Sequence, residues 1–308
     1  MNLSVSIVNT GSRELLLACL ASLAGADAEI VVLDNASEDG SGDAVRERFP
    51  DVRVIAQGFR AGFAANHNTV IRATTGRYVY VLNEDTTAAD WGLDRIVGYL
   101  DAHPRVAALG PKLVYPDGRR QDSAWRFPTP LTSALGLLTV GKLGIKQSRG
   151  DVPRRVDWVM GAALVLRREA LEQVGVFDDG FFLYSEEVDL QFRLRKAGWE
   201  VHYFPEVTVV HHESQFSSDI PERRINEMWR SRHRYWRKHH SASGARIAAV
   251  STGAQYAVRA ALSPFARRDR GMGKRMLLHA RDARRVTGPG LRELAEEWNA
   301  RVGAAARR

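Results

Sequence analysis

Four apolar runs in the first 85 residues, separated by segments of helical period, constrain the fold of this chain more than any other feature. "LSVSIVNT" (3–10), "AEIVVLDNAS" (28–37), "VRVIAQG" (52–58) and "RYVYVLNED" (77–85) carry the branched and aromatic residues of buried strands. Between them, "SRELLLACLASLAG", "DGSGDAVRERF" and "AGFAANHNTVIRATTG" read as helices, the first with Ser12 as candidate cap and Gly25 near its stop. This alternation predicts an α/β domain with a mostly parallel sheet, flanking helices and right-handed crossovers. In such sheets ligands lie beyond the carboxyl ends of the strands. Asp34, Asn35 and Asn83-Glu84-Asp85 all fall at strand ends, so one crevice can hold them all.

Further on, residues 126–156 are rich in Pro, Gly and basic residues and read as an irregular excursion. "VDWVMGAALVLRREALEQVG" predicts a strand and a short helix ended by Gly175. In "FFLYSEEVDLQFRLRKAGW", Ser185 is the expected cap of a helix whose buried stripe is Leu190, Leu194 and Ala197, with Gly198 past its end. "EVHYFPEVTVVHH" predicts a strand on which His211 shares a face with Val209 and Val207.

Charge divides the chain. Residues 1–220 carry 23 basic and 29 acidic side chains, residues 221–308 carry 21 and 7. The basic tail implies a partner with a negative surface. In "MWRSRHRYWRKHH" (228–240) aromatics alternate with basic residues, and Ile247, Val250, Ala254, Val258 and Leu262 recur at helical spacing. Two readings follow: an amphipathic face that docks on an anionic membrane, or basic helices that pack on the catalytic domain or join two copies into a homodimer. No nucleic-acid reader motif is present. The N-terminus lacks the basic start and apolar core of a signal peptide. The longest uncharged stretch, 127–141, has 15 residues with two prolines and two glycines, too short and broken to span a bilayer. The expected location is cytoplasmic, peripheral at the inner face of the membrane. Cys19, the single cysteine, sits in an apolar run and reads as a buried structural thiol.

A dinucleotide fingerprint (G-x-G-x-x-G) and a Walker phosphate loop are both absent, so phosphates would need a metal held on carboxylates, which suits Mg²⁺ or Mn²⁺. Asn83-Glu84-Asp85 is then either a polar strand end or that metal site. Glu186, Glu187 and Asp189 either complement a helix dipole, or repel one another beside the aromatic "FFLY" so that one becomes a base. His211 is either a structural histidine or a metal ligand, and Trp158 either core or a platform for a sugar.

In their order, "SVSIVNT … VVLDNASEDGS … GFAANHN … VYVLNEDT … WVMGAALVLRREALEQVGVFD … FFLYSEEVDLQFRLRKAGW … VVHH" resembles the family 2 glycosyltransferases, over residues 3 to 240. The subgroup it is most similar to is the rhamnosyltransferase-like enzymes of bacterial cell-wall and surface-polysaccharide assembly. The resemblance implies a GT-A fold and an inverting, metal-dependent transfer from a nucleotide-diphosphate sugar (dTDP- or UDP-linked) to a glycan or lipid-linked saccharide. It implies nucleobase recognition by Asp34 and a donor site that includes Val8, Asn9, Thr10, Asn35, Gly62, Asn68, Asn83 and Glu84. Asp85 becomes the ligand to Mg²⁺ or Mn²⁺, with His211 completing the shell. Glu186-Glu187 falls on the family's acidic pair, whose second member is the base, and Trp158, Gly161 and Ala162 line the acceptor side. Residues 1–125 are then the donor half, 126–220 the acceptor and catalytic half, and 221–308 a basic helical extension. Two positions depart from the subgroup: Glu84 stands where proline is usual, and Glu187 where aspartate is, which keeps Asp189 a rival base. A sugar-nucleotide pyrophosphorylase would show a glycine- and arginine-rich signature that "VNTGSRELL" lacks. A non-catalytic sugar- or lipid-binding module would not need Asp85 or Glu187.

Overall fold

The computed structural model describes residues 2–139, 146–213, 221–262 and 272–305; parts of the 126–156 excursion and of the basic tail lie outside them. The four expected strands are β1 (Leu3–Asn9), β2 (Glu29–Asn35), β3 (Arg53–Gln57) and β4 (Tyr78–Asn83). They pair in parallel in the order β3-β2-β1-β4. Their crossover helices are α1 (Arg13–Ser22), α2 (Ser41–Arg48) and α3 (Phe63–Ala73). Every residue of β1 is buried, as expected for a strand covered on both faces. Cys19 is buried in this core, and desolvation pushes its thiol up to about 12.

A short β5 (Thr86–Thr87) and α4 (Leu93–Ala102) precede β6 (Val106–Val114). β7 (Ala124–Trp125) pairs with β9 (Trp158–Val159) in a two-stranded ribbon. Between them lie α5 (Pro130–Leu138) and β8 (Arg154–Val156). The expected irregular excursion therefore contains a helix, with Pro130 in its first turn and Thr129 closing a capping box with Thr132. β10 (Ala163–Arg167) runs antiparallel between β4 and β6, and α6 (Arg168–Val174) follows it. α7 (Glu186–Lys196) leads to β11 (Glu200–His211), parallel to β6. The sheet is thus mixed, with its parallel half at the amino end.

Two capping expectations fail. Ser12 and Ser185 occupy N-cap positions, but neither side chain accepts a capping hydrogen bond. Ala197 is exposed at the end of α7; Val188, Leu190, Gln191 and Leu194 face inward instead.

The basic tail folds as α8 (Pro221–His239), α9 (Ala242–Leu262), α10 (Met272–Asp282) and α11 (Leu291–Ala305). Its aromatics do not face solvent. Trp229, Tyr235 and Trp236 are buried with Phe127, Trp158 and Phe181 in a core cluster that joins the tail to the α/β domain. Trp236 Nε1 donates to the Pro128 carbonyl at 2.7 Å.

Candidate active site

Register brings the strand ends together. Val8 pairs with Asn83 and Asn9 with Asp34. The Asn83 amide donates to the Ala162 carbonyl at 2.9 Å, which draws Gly161-Ala162 beside the end of β4. The chain then turns through Glu84 and Asp85 into β5, which pairs with the end of β11, Thr86 opposite His211. Pro205, which has no amide hydrogen, lies where β11 shifts register against β6, between Phe204 and Thr208. Beyond that irregularity Val207, Val209 and His211 are buried while Glu206 and Thr208 are exposed.

His211 Nε2 consequently lies 3.3 Å from Asp85 Oδ1. Its Nδ1 faces Gln121 Oε1 at 3.0 Å, and Asn83 Nδ2 lies 3.3 Å from its Nε2. Asp85 Oδ1 is buried without a hydrogen bond. A divalent cation would satisfy both this oxygen and the neutral imidazole nitrogen beside it. Among the described residues no cluster of three or more His, Cys, Asp or Glu gathers there, so a cation would take its remaining ligands from substrate oxygens and water. Glu84 accepts from Thr10 Oγ1 at 2.9 Å; desolvation, reinforced by Asp85, raises its carboxyl to about 7.

A second acidic group faces this one. Tyr184 and Ser185 both adopt left-handed backbone conformations (φ 67 and 65) immediately before α7. Such residues are unfavourable singly and persist where packing enforces them. Gly62 supplies part of that packing: Phe63 N donates to the Phe182 carbonyl at 2.7 Å, and a Cβ on Gly62 would stand 2.3 Å from the same oxygen. One turn into α7, Gln191 both donates to and accepts from Val159 backbone at 2.8 Å. The first turn is thereby held against Gly161, where an added Cβ would lie 3.7 Å from Glu187 Cβ. Glu186 and Glu187 each present a buried Oε2 without a partner. Desolvation raises both carboxyls, Glu186 the more because Glu187 stands beside it, while Arg232 opposes the rise at Glu187.

Asp189 has a different environment. Its carboxylate is fully buried and bonded to Arg193 Nε (2.9 Å), Lys238 Nζ (2.8 Å) and His239 Nε2 (2.7 Å). These partners outweigh desolvation and hold it down to about 2. It ties α7 to α8 and has no free oxygen for a substrate proton.

Both acidic groups open on one cavity of about 450 Å³. Val8, Thr10, Asn35, Gly62, Asn83, Glu84, Asp85, Trp158, Gly161, Ala162, Glu186, Glu187 and His211 line it. Asn9, Asp34, Asn68 and Asp189 are not on its wall. Asn9 Oδ1 accepts from the Gly11 and Ser12 amides, and its Nδ2 donates to Asp34 at 3.4 Å. Asp34 also accepts from the Ser37 amide at 3.1 Å, so this pair shapes the turns after β1 and β2. Asn68 is buried and exchanges hydrogen bonds with Phe177 backbone, strapping α3 to the loop ahead of α7. Trp158 serves both readings: it stacks on Trp125 in the core, donates to the Arg126 carbonyl at 3.1 Å, and reaches the cavity.

Residues 4–188 match the family described as Glycosyl transferase family 2. The chain belongs to this family. It is 32% identical over 231 residues to the N-acetylglucosaminyl-diphospho-decaprenol L-rhamnosyltransferase of Mycobacterium tuberculosis, covering 68% of this chain and 74% of that one. An O-antigen biosynthesis protein, RfbC of Myxococcus xanthus, is 27% identical over 214 residues, 63% of this chain and 16% of that one. Among solved structures, a mannosyltransferase from Pyrobaculum calidifontis with GDP-Man and Mn²⁺ aligns at a TM-score of 0.57 and 19% identity, covering 98% of this chain and 84% of that one. GalNAc-T7 with UDP, GalNAc and Mn²⁺ aligns at 0.60 and 16%, covering 83% and 51%. The fold is GT-A-like and the protein is a glycosyltransferase with rhamnosyltransferase relatives.

For this glycosyltransferase the sequence reading missed an entire wall of the cavity. Arg224, Met228 and Arg232 of α8 and Leu291, Leu294 and Ala295 of α11 close it from the basic tail. Their spacings, four residues on α8 and three or four on α11, were visible as stripes, but nothing local says what a stripe faces. Arg60 and His67 also reach the cavity. His67 Nδ1 meets Ser6 Oγ at 2.8 Å, and desolvation lowers its imidazole to about 3, so it is neutral.

Proposed function

We propose that this glycosyltransferase moves a sugar, with inversion and with a divalent cation at Asp85, from a dTDP- or UDP-linked donor to a hydroxyl of a lipid-linked saccharide. The observation that carries the reading is one cavity with an orphaned, buried carboxylate oxygen on each side, Asp85 at the strand ends and Glu186-Glu187 on α7. Asp85 and His211, with Asn83 beside them, would hold Mg²⁺ or Mn²⁺. Such an ion neutralises charge on a departing diphosphate; the Mn²⁺ in the two related solved structures supports divalent metal use.

Arg232 favours the ionised form at Glu187, while Glu187 disfavours ionisation of Glu186 beside it. Glu187 takes the proton of the acceptor hydroxyl as its oxygen bonds to the anomeric carbon, while the bond from that carbon to the donor phosphate breaks on the opposite face. A positioned base contributes about 10²–10⁴-fold in rate. Val8, Thr10, Asn35 and Gly62 form the donor wall, with Asn9, Asp34 and Asn68 bracing the loops behind it. Trp158, Gly161 and Ala162 flank the acceptor. Residues 1–125 thus carry the donor half, 126–220 the acceptor and catalytic half, and 221–308 the closing wall. Rhamnose as the sugar is supported by the mycobacterial relative.

The proposed location rests on a surface formed by α5 and α9. α5 packs on α9, and the two present exposed Leu131, Leu135, Leu138, Ile247, Val250 and Leu262 with no acidic residue in either helix. Among the described residues no helix is long and apolar enough to cross a membrane, so this face would dock peripherally on an anionic leaflet. Sedimentation with anionic liposomes tests it: Leu135→Glu with Ile247→Glu should abolish binding, and unchanged binding refutes it. For the reaction, the test is Asp85→Ala. The variant should fold normally yet lose Mg²⁺- or Mn²⁺-dependent donor binding, and undiminished donor affinity at matched metal would overturn the assignment.

A further inference from the structure

We propose that Arg232, with Arg224 along the same face of α8, is a phosphate site for the acceptor, taking the diphosphate that joins the acceptor sugar to its lipid. The inference rests on the glycosyltransferase reading and specifies its second substrate. Arg224, Met228 and Arg232 recur every four residues and so form one stripe along the cavity. Arg224 Nε is engaged with the Tyr184 phenol at 3.0 Å, which fixes that guanidinium against the turn before α7.

Arg232 has no hydrogen bond or ion pair from its guanidinium to any described residue. It is half-buried on the cavity wall, and desolvation lowers its pKa from the usual guanidinium range. Glu187 is the carboxylate that acts on it most, yet the two do not form an ion pair, and Glu187 keeps an orphaned oxygen. A desolvated cation without a partner is unfavourable unless an anion arrives with the substrate. Guanidinium suits phosphate in particular, because its fork matches two oxygens at once.

Apolar residues share its side of the cavity. Met228 stands between the two arginines, and Leu291, Leu294 and Ala295 of α11 continue the wall. Such a surface suits an isoprenoid chain leaving a diphosphate. The proposed donor diphosphate belongs with Asp85 and His211, so Arg232 offers the same cavity a second phosphate position. An acceptor of this kind places the transfer after the reaction class that links the first sugar phosphate to the lipid.

Calorimetric titration of farnesyl diphosphate into the full chain tests the site without requiring turnover. Wild type should bind it at least tenfold more tightly than farnesol. Arg232→Gln should lose about tenfold or more in affinity, and Arg232→Lys should recover most of it. Saturating UDP or dTDP with Mg²⁺ should leave binding in place. Equal binding by wild type and Arg232→Gln, equal affinity for farnesol, or displacement by the nucleotides overturns the proposal, the last assigning Arg232 to the donor. Absence of transfer from any nucleotide sugar would instead sink the glycosyltransfer reading, a separate measurement.

Discussion

Asp189→Asn separates the two acids that the sequence left as rivals. Its carboxylate is lowered from 3.8 to about 2 by its Arg193, Lys238 and His239 partners. Because the folded value is depressed, the contribution to stability is fully present above the unfolded value and is lost as pH falls through about 2. At about 1.4 kcal/mol per tenfold change in acidity, it amounts to about 2–3 kcal/mol. The amide keeps the shape but leaves Arg193 and Lys238 facing a neutral group, and breaking a buried pair from one side costs roughly 3–5 kcal/mol. With a melting temperature that moves about 2 °C per kcal/mol in a chain of this size, the variant should melt on the order of 5–10 °C lower. Its kcat, measured as nucleoside diphosphate release well below that transition, should stay within about threefold of wild type, since Asp189 is absent from the cavity wall. Loss of about 10²-fold or more in kcat with an unchanged melting temperature would show that Asp189 is the base and that the carboxylate assignment on α7 is wrong.

Glu187→Gln should bind donor as wild type does and lose about 10²–10⁴-fold in transfer; a loss below tenfold removes it as base. Because the Glu187 carboxyl is raised and must be ionised to act, kcat should fall with decreasing pH at a point above the ordinary glutamate range. A pH–rate profile with that limb at an unperturbed value contradicts the assignment. Glu186→Gln should raise the melting temperature near neutral pH, since a raised carboxyl makes ionisation unfavourable to the folded state, and the gain should vanish below about pH 4, where both forms are neutral. Thermal melts at the two pH values check it. Gly62→Ala places a Cβ 2.3 Å from the Phe182 carbonyl, so the turn before α7 must move. A destabilisation of roughly 1–3 kcal/mol or more is expected in denaturant unfolding, with transfer impaired.

The alternation of strand and helix, the strand ends at Asp34 and Asn83-Glu84-Asp85, and the α/β class were all legible in the sequence. Each is a property of a single segment, its period of burial and the residues that punctuate it. The same local reading could not choose among Glu186, Glu187 and Asp189. Each step along a helix turns about 100°, so Glu186, Glu187 and Asp189 point in three different directions, and only the packing partner says which of them is cavity. α8 decided it by placing Lys238 and His239 against Asp189. It also reversed the reading of Trp229, Tyr235 and Trp236, whose pattern fits a membrane interface as well as a core. His211 meets Asp85 because a register shift near Pro205 sets its face and β5 pairs with the end of β11. Residues 126 positions apart in sequence carry no local sign of that pairing. Arg232 likewise reaches the cavity only because α8 packs beside α7, and which face of a helix meets a cavity is a relation between elements and not a property of either.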